Sequence, residues 1–235
     1  MMSRNILMSS GSVGITIAAT VRSPDIAALA RARGWNGSGL ITCTINSGVD
    51  VAALNIIGIP NDCLTIINKG RIGGVVNGGT GLYTRTRIRI DNSAGTIFGG
   101  GGQGGKGGDG AIRNPYSTSY TADGYGGAGG QGAGFSASGS VSMVSALAGS
   151  AGTSQQLSGP SSGGTLGTVY GGQGGTGGAI GVAGGFGNSA TAGNGKYEVI
   201  VLYSGASGAA AGAYVDGNSY VTWIANGTRQ GSAIN

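Results

Sequence analysis

Residues 99–110 read GGGGQGGKGGDG, and the interrupting side chains Gln103, Lys106 and Asp109 stand three residues apart. The phrase Gly-Gly-Gln returns at 129–131 and 171–173, inside GGAGGQGAG (126–134) and GGQGGTGGAIG (171–181). A glycine phase of three limits what the backbone can do. Polyproline-II geometry has three residues per left-handed turn, about 3.1 Å rise per residue and no internal hydrogen bonds. Every third side chain then projects along one edge, and bare backbone lines the other two. Side by side, such edges come close enough for N–H···O=C contacts between neighbours, which satisfies the backbone.

Composition decides between the ordered and disordered readings. Glycine supplies 55 of 235 residues, yet only four are proline, which excludes collagen. Disordered chains are poor in apolar residues and rich in charge, whereas 39% of this chain is hydrophobic and 9% charged. A flexible linker is the alternative reading of the glycine runs. Phase-locked repetition across non-glycine interruptions favours a packed bundle.

The expected fold is therefore mixed. A small N-terminal α+β part, mostly β, occupies 1–69, and a transition with a strand follows at 70–98. A sandwich of packed polyglycine-II helices with exposed loops and little regular α or β structure fills 99–187, and strands at 188–235 close the fold. The scaffold glycines are Gly101, Gly102, Gly104, Gly105, Gly107, Gly108, Gly129, Gly130, Gly171, Gly172, Gly174 and Gly175. Gln103, Lys106, Asp109, Gln131, Gln173 and Thr176 are expected to face solvent. Parity of the crossings points to one further crossing near ALAGSAG (146–152).

In the N-terminal part, SPDIAALARARG (23–34) reads as a short helix with Ser23 as N-cap, Pro24 in the first turn and Gly34 as stop. Its apolar stripe is Ile26, Leu29 and Ala30. LITCTI (40–45) is a strand with Ile41, Cys43 and Ile45 on one face. VAALNIIGI (51–59) and CLTIIN (63–68) are strands around a Pro60-Asn61-Asp62 turn. TRTRIRID (84–91) alternates strictly, with Arg85, Arg87 and Arg89 on one face. That row reads either as a solvated or aggregation-blocking face or as an anion contact. KYEVIVLYSG (196–205) and SYVTWIANGTRQG (219–231) read as later strands.

The chain lacks histidine and has one glutamate, Glu198, so acid–base, metal and triad chemistry have few candidate residues. No catalytic residue, metal ligand or cofactor is expected. GxGxxG matches recur by chance in any glycine tract and lack a following helix. The P-loop likeness ending at Gly105-Lys106 has Gly107 where Ser or Thr is required, and no Arg-Gly-Gly motif suggests RNA binding. Cys43 and Cys63 read as free thiols on strands. Eleven of thirteen Lys and Arg fall in residues 1–113 against five Asp, so the first half is basic. No apolar run reaches a membrane span, and Met1–Asn5 does not open a signal peptide of usual length; neither nucleic-acid binding nor membrane insertion is expected.

Between the runs, AIRNPYSTSYTAD (111–123) and residues 135–170 combine tyrosine with serine, asparagine and glycine, the composition of binding loops on rigid scaffolds. The candidate contacts are Arg113, Asn114, Tyr116, Tyr120, Tyr125, Gln155, Gln156 and Leu157.

These phase-locked runs with Tyr/Ser-rich segments between them resemble the receptor-recognising adhesins at the tips of T-even-like bacteriophage long tail fibres. WNGSGLITCTINSGV (35–49), LTIINKGRIGG (64–74) and SYVTWIANGTRQG (219–231) are similar to glycine-rich modules of phage tail-fibre and tail-tip proteins. The resemblance implies a virion protein, assembled in the host cytoplasm, that docks on a tail-fibre or tail-tip protein through its N-terminal region. It also implies that distal loops bind an outer-membrane protein or lipopolysaccharide of the host. A tail cap or spacer without receptor binding is the alternative, and an ice-binding stack of glycine helices a third.

Overall fold

The computed structural model describes residues 11–159 and 164–235; the Met1–Asn5 reading and Pro160 lie outside the described residues. Short strands separated by bends wind the first part of the chain into a parallel β-helix. Its first coil is β1 (Val13–Ile17), β2 (Val21–Arg22) and a helix, α1 (Ile26–Arg31). The second is β3 (Ile41–Ile45), β4 (Asp50–Ala52) and β5 (Leu54–Ile56), and the third β6 (Leu64–Asn68), β7 (Arg71–Gly73) and β8 (Leu82–Thr84). The fourth coil opens with β9 (Ile88–Asp91) and β10 (Thr96–Phe98). There the chain leaves the β-helix.

Residues 99–212 are an insertion carrying β11 (Gly110–Asn114), β12 (Ser117–Gly124), β13 (Gly134–Phe135), β14 (Met143–Val144), β15 (Ser154–Ser158), β16 (Thr165–Tyr170), β17 (Thr191–Ala192) and β18 (Glu198–Leu202). The fourth coil is then completed by β19 (Ala213–Asp216), and the fifth is β20 (Val221–Ala225), β21 (Thr228–Gln230) and β22 (Ser232–Ile234). Stacking the coils gives three parallel sheets, ordered β1-β3-β6-β9-β20, β2-β4-β7-β10-β21 and β22-β19-β8-β5.

Alternation sets which side chains enter the β-helix. Ile41, Cys43 and Ile45 are buried while Thr42 and Thr44 are half-buried on the outer face, as the period of two requires. Ile15, Leu64, Ile66, Ile88 and Ile90 continue the same stacked core. Burial pushes the Cys43 thiol up to about 12, and both cysteines are free. At one corner, Asn68 donates from Nδ2 to Asn92 Oδ1 at 2.7 Å and accepts from Gly70 N–H on Oδ1. Asn92 donates to the carbonyls of Asn226 and Thr228. These buried amides tie three successive coils together.

The expected fold class is corrected. The molecule is nearly all β, with 39% of residues in strands and 4% helical, and no polyglycine-II helix bundle is evident. The N-terminal part is not an ordinary α+β unit, because its six-residue helix only occupies the third-sheet place in the first coil. The helix is also shorter than expected. Asp25, whose carboxylate accepts from Ala28 N–H, is its N-cap; Ser23 sits before it in the left-handed region at φ 44°. Ile26, Ala27 and Ala30 are buried, whereas Leu29 is exposed.

Two other expected strands break at corners of the β-helix. Residues 51–59 bend at Ala53, φ 52°. Residues 84–91 split between β8 and β9, so the arginines do not form one row. Arg85 pairs with Asp216 and Arg87 with Asp62, each at 2.8 Å.

The glycine runs of the insertion are extended segments, and their amides bond sideways to other runs. Gly101, Gly104 and Gly107 donate to the carbonyls of Ala133, Gly130 and Gly127 at 2.7–2.9 Å. Gly102, Gly105 and Gly108 donate to Val182, Gly185 and Asn188. Gly172, Gly175 and Gly178 return bonds to Gly108, Gly105 and Gly102. Descending partner numbers make the runs at 127–133 and 172–178 antiparallel to 101–108, and ascending ones make 182–188 parallel to it. Residues 147–153 cross as well: Leu147, Ser150 and Thr153 donate to Gln131, Ala128 and Tyr125. Gln103, Lys106, Gln173 and Thr176 are exposed, while Asp109 and Gln131 are half-buried. The slab is anchored on the β-helix by the Phe98–Phe135 ring contact at 5.0 Å and by Gly132 N–H donating to Asn77 Oδ1.

Two outcomes follow for stability. A Cβ on Gly104 would lie 2.1 Å from Gly175 O, whereas one on Gly14 meets nothing within 4 Å. Gly104→Ala is expected to cost about 1–3 kcal/mol by overpacking and Gly14→Ala less than about 0.5 kcal/mol, as read by thermal or denaturant unfolding. Asn92→Ala removes the acceptor at 2.7 Å from the Asn68 amide, leaving its longer bond to Thr96 O, and is expected to cost about 1–3 kcal/mol in the same assay.

Candidate functional site

At the end of the slab away from the β-helix, the runs deliver their chain into a small two-sheet head. One sheet is β12-β11-β18 and the other β15-β16-β17, all antiparallel. Ile112, Ala122, Leu157 and Val169 form its core, with Leu166, Ala192 and Tyr197 packed against them. The residues expected in loops therefore lie largely on strands. The slab run between β10 and β11, residues 99–109, is a spacer roughly 36 Å long at ~3.3 Å per residue.

The head sorts the sequence-derived candidates into different roles. Tyr116 is 84% exposed, and Tyr120 and Tyr125 are exposed as well. Arg113 reaches across the sheet to Glu198 in a two-pronged pair at 2.8 and 2.9 Å. That pair holds the Glu198 carboxyl below its ordinary value and raises the Arg113 guanidinium above its own. Asn114 is 2% exposed; its Oδ1 accepts from Tyr116 N–H and fixes the hairpin end, and its Nδ2 has no partner among the described residues. Gln155 Oε1 accepts from Asp123 N–H, bridging the two sheets. Gln156 is exposed. Leu157, 1% exposed, is a core residue and not a surface contact; alternation on β15 turns it inward.

The structure adds surface residues that the sequence reading did not single out. Val199, Ile200 and Leu202 on β18, together with Tyr203 and Tyr170, are exposed. KYEVIVLY has apolar residues on both strand faces. Such a run marks either a strand buried on both sides or an uncovered one, and sequence alone does not separate them. Where the head meets the slab, Asp109 accepts from Lys106 Nζ and from Gly126 N–H at 2.7 Å. The Lys106 ammonium and then the Gly126 amide hold its carboxyl below its ordinary value. Among the described residues, no three His, Cys, Asp or Glu side chains gather where they could hold a metal ion.

The family model for the phage tail fibre adhesin Gp38 matches residues 12–234. The chain belongs to that family. It is thus a phage tail fibre adhesin and a component of the virion tail. Among solved structures it is similar to the gp37-gp38 adhesin tip complex of the bacteriophage S16 long tail fibre, at 21% identity and a TM-score of 0.44. That likeness covers 95% of this chain and 82% of the other. No curated protein matches the chain.

The two carboxylates that brace this adhesin's head give a pH expectation. Asp109 and Glu198 have folded-state values below their ordinary 3.8 and 4.5. Their stabilisation is complete above those ordinary values and is lost as pH falls through the lower folded ones. Amide protection in 110–126 and 196–203, measured against the intrinsic exchange rate at each pH, is expected to fall below about pH 4, and less so when Asp109→Asn and Glu198→Gln remove the titration.

Proposed function

We propose that this adhesin recognises a host-cell surface receptor, an outer-membrane protein or lipopolysaccharide, through the exposed face of its head. The observation that carries the reading is the group of exposed Tyr116, Tyr120 and Tyr125 on a head braced by backbone bonds and ion pairs. Tyrosine offers a large amphipathic contact with only two side-chain torsions to immobilise. A head ordered before contact also loses less conformational entropy on binding.

The β-helix is proposed to dock on a tail-fibre or tail-tip protein through its N-terminal region. A groove of 530 Å³ beside α1 supports this, lined mainly by apolar atoms of Ile17, Ala19, Val21, Pro24, Ala28 and Leu29. The exposed Arg31 and Arg33 nearby leave that end basic. An acidic rim on the partner would complement it.

Purified protein is expected to compete with phage for adsorption to host cells. Combined Tyr116→Ala and Tyr120→Ala replacements are expected to reduce that competition about tenfold or more, at roughly 1.4 kcal/mol per tenfold, with the melting temperature unchanged. Competition unaffected by the replacements would remove the head from the contact.

A further inference from the structure

We propose that β18 is a strand-addition site, at which an extended segment of a receptor polypeptide pairs with its free edge; this rests on the receptor-binding reading of the head. β18 is the outer strand of its sheet and pairs only with β11. Among the described residues, the backbone of 198–202 makes no hydrogen bond outside that pairing. Its outward N–H and C=O groups form a row that another strand can complete.

The side chains on the same strand are uncovered. Val199 is 46% and Ile200 50% exposed. The pairing shifts register between Ala111 and Ile112, so Ile200 is the extra residue of a bulge on β18. Across the core, β17 contributes only Thr191 and Ala192 to the facing sheet. The facing sheet is therefore short opposite β18, whose Val199 and Ile200 side chains stay exposed although the head core behind them is buried.

Two of the usual protections of an edge are missing from the strand itself, although it carries the Ile200 bulge and follows the exposed Lys196. Residues 197–203 contain no lysine or proline, and their one charge, Glu198, is already engaged by Arg113. These features select the occupant. A row of unpaired amides and carbonyls is complemented by another extended backbone, and neutral apolar side chains on both faces are complemented by alternate apolar residues of that strand. Within 197–203 an anionic glycolipid would meet no cation, and the exposed Lys196 just before the strand is the one it would meet nearby.

The test uses the full chain and outer-membrane vesicles from a bacterium that the wild-type protein binds. Ile200→Lys places a charge on the strand and is expected to weaken vesicle binding about tenfold or more. Phe186→Lys, on an even more exposed apolar residue of the slab, is expected to leave it unchanged. Ile200→Thr keeps a branched side chain suited to a strand and is expected to weaken binding several-fold with the melting temperature preserved. Amide exchange of 198–202 is expected to slow on vesicle binding, a readout that side-chain contact alone would not move.

Wild-type affinity of folded Ile200→Lys, or exchange in 198–202 that is the same free and bound, would overturn the proposal. Equal binding to vesicles of purified lipopolysaccharide, free of protein, would also overturn it. So would dimers of the protein alone with 198–202 already protected, since a second copy would then occupy the edge. Wild-type protein that binds no bacterial surface would remove the receptor reading as well. Binding lost with the Tyr116 and Tyr120 replacements but kept by Ile200→Lys would overturn strand addition alone.

Discussion

Sideways hydrogen bonding between glycine runs is the interaction on which the rest of this adhesin depends. An extended run makes no bonds to itself, so each buried amide needs a carbonyl on another run. Gly104 shows how tight the fit is: its amide bonds Gly130, and its Cα faces Gly175 at a distance no Cβ could occupy. Glycine at two positions of three is the steric condition for this contact. The third position, on the open edge, takes Gln103 or Lys106 freely. An apolar core is not what holds the slab together, since the buried hydrophobic clusters lie in the β-helix, at the Phe98–Phe135 junction and in the head.

This arrangement separates support from recognition. The chain leaves the β-helix after Phe98 and rejoins it at Ala213, so both ends of the insertion are fixed in one coil. Runs bonded on several sides then present β11, β12, β15, β16 and β18 at the far end with little freedom left. Surface residues of the head can change without touching the backbone contacts that hold it, because the slab uses main-chain groups and the head surface uses side chains. Gly107 and Tyr116 illustrate the division: a Cβ on the one would lie 1.9 Å from Gly172 O, and the other projects into solvent.

Local pattern was readable where a single element decides the outcome. The inward set Ile41, Cys43 and Ile45, the free thiols, the exposed Tyr116 and the lateral crossing at 147–153 follow from alternation, phase and parity. Reading failed where a neighbour decides. Residues 84–91 alternate like one strand, yet a β-helix must turn a corner every few residues, and Arg85–Arg87 lie at one. Asp25 caps α1 because Ser23 is held at a corner by Ala52 O and Ala53 O. Leu157 resembled a loop contact until the facing sheet placed it in the head core.

By itself, the sequence favoured packing of the 99–110 backbone against other backbone over a flexible linker, and it determined that the first half is basic and which face of strands such as Ile41–Ile45 is apolar. Those properties follow from Cβ sterics, charge count and the period of two, all of which are local. Only the tertiary structure decided that the molecule is nearly all β, that one coil of a β-helix opens to admit the slab, and that β18 stands at an edge. Sheet order and corner placement depend on which strands meet across long stretches of chain, and a strand's own residues look the same whether its second edge is paired or open.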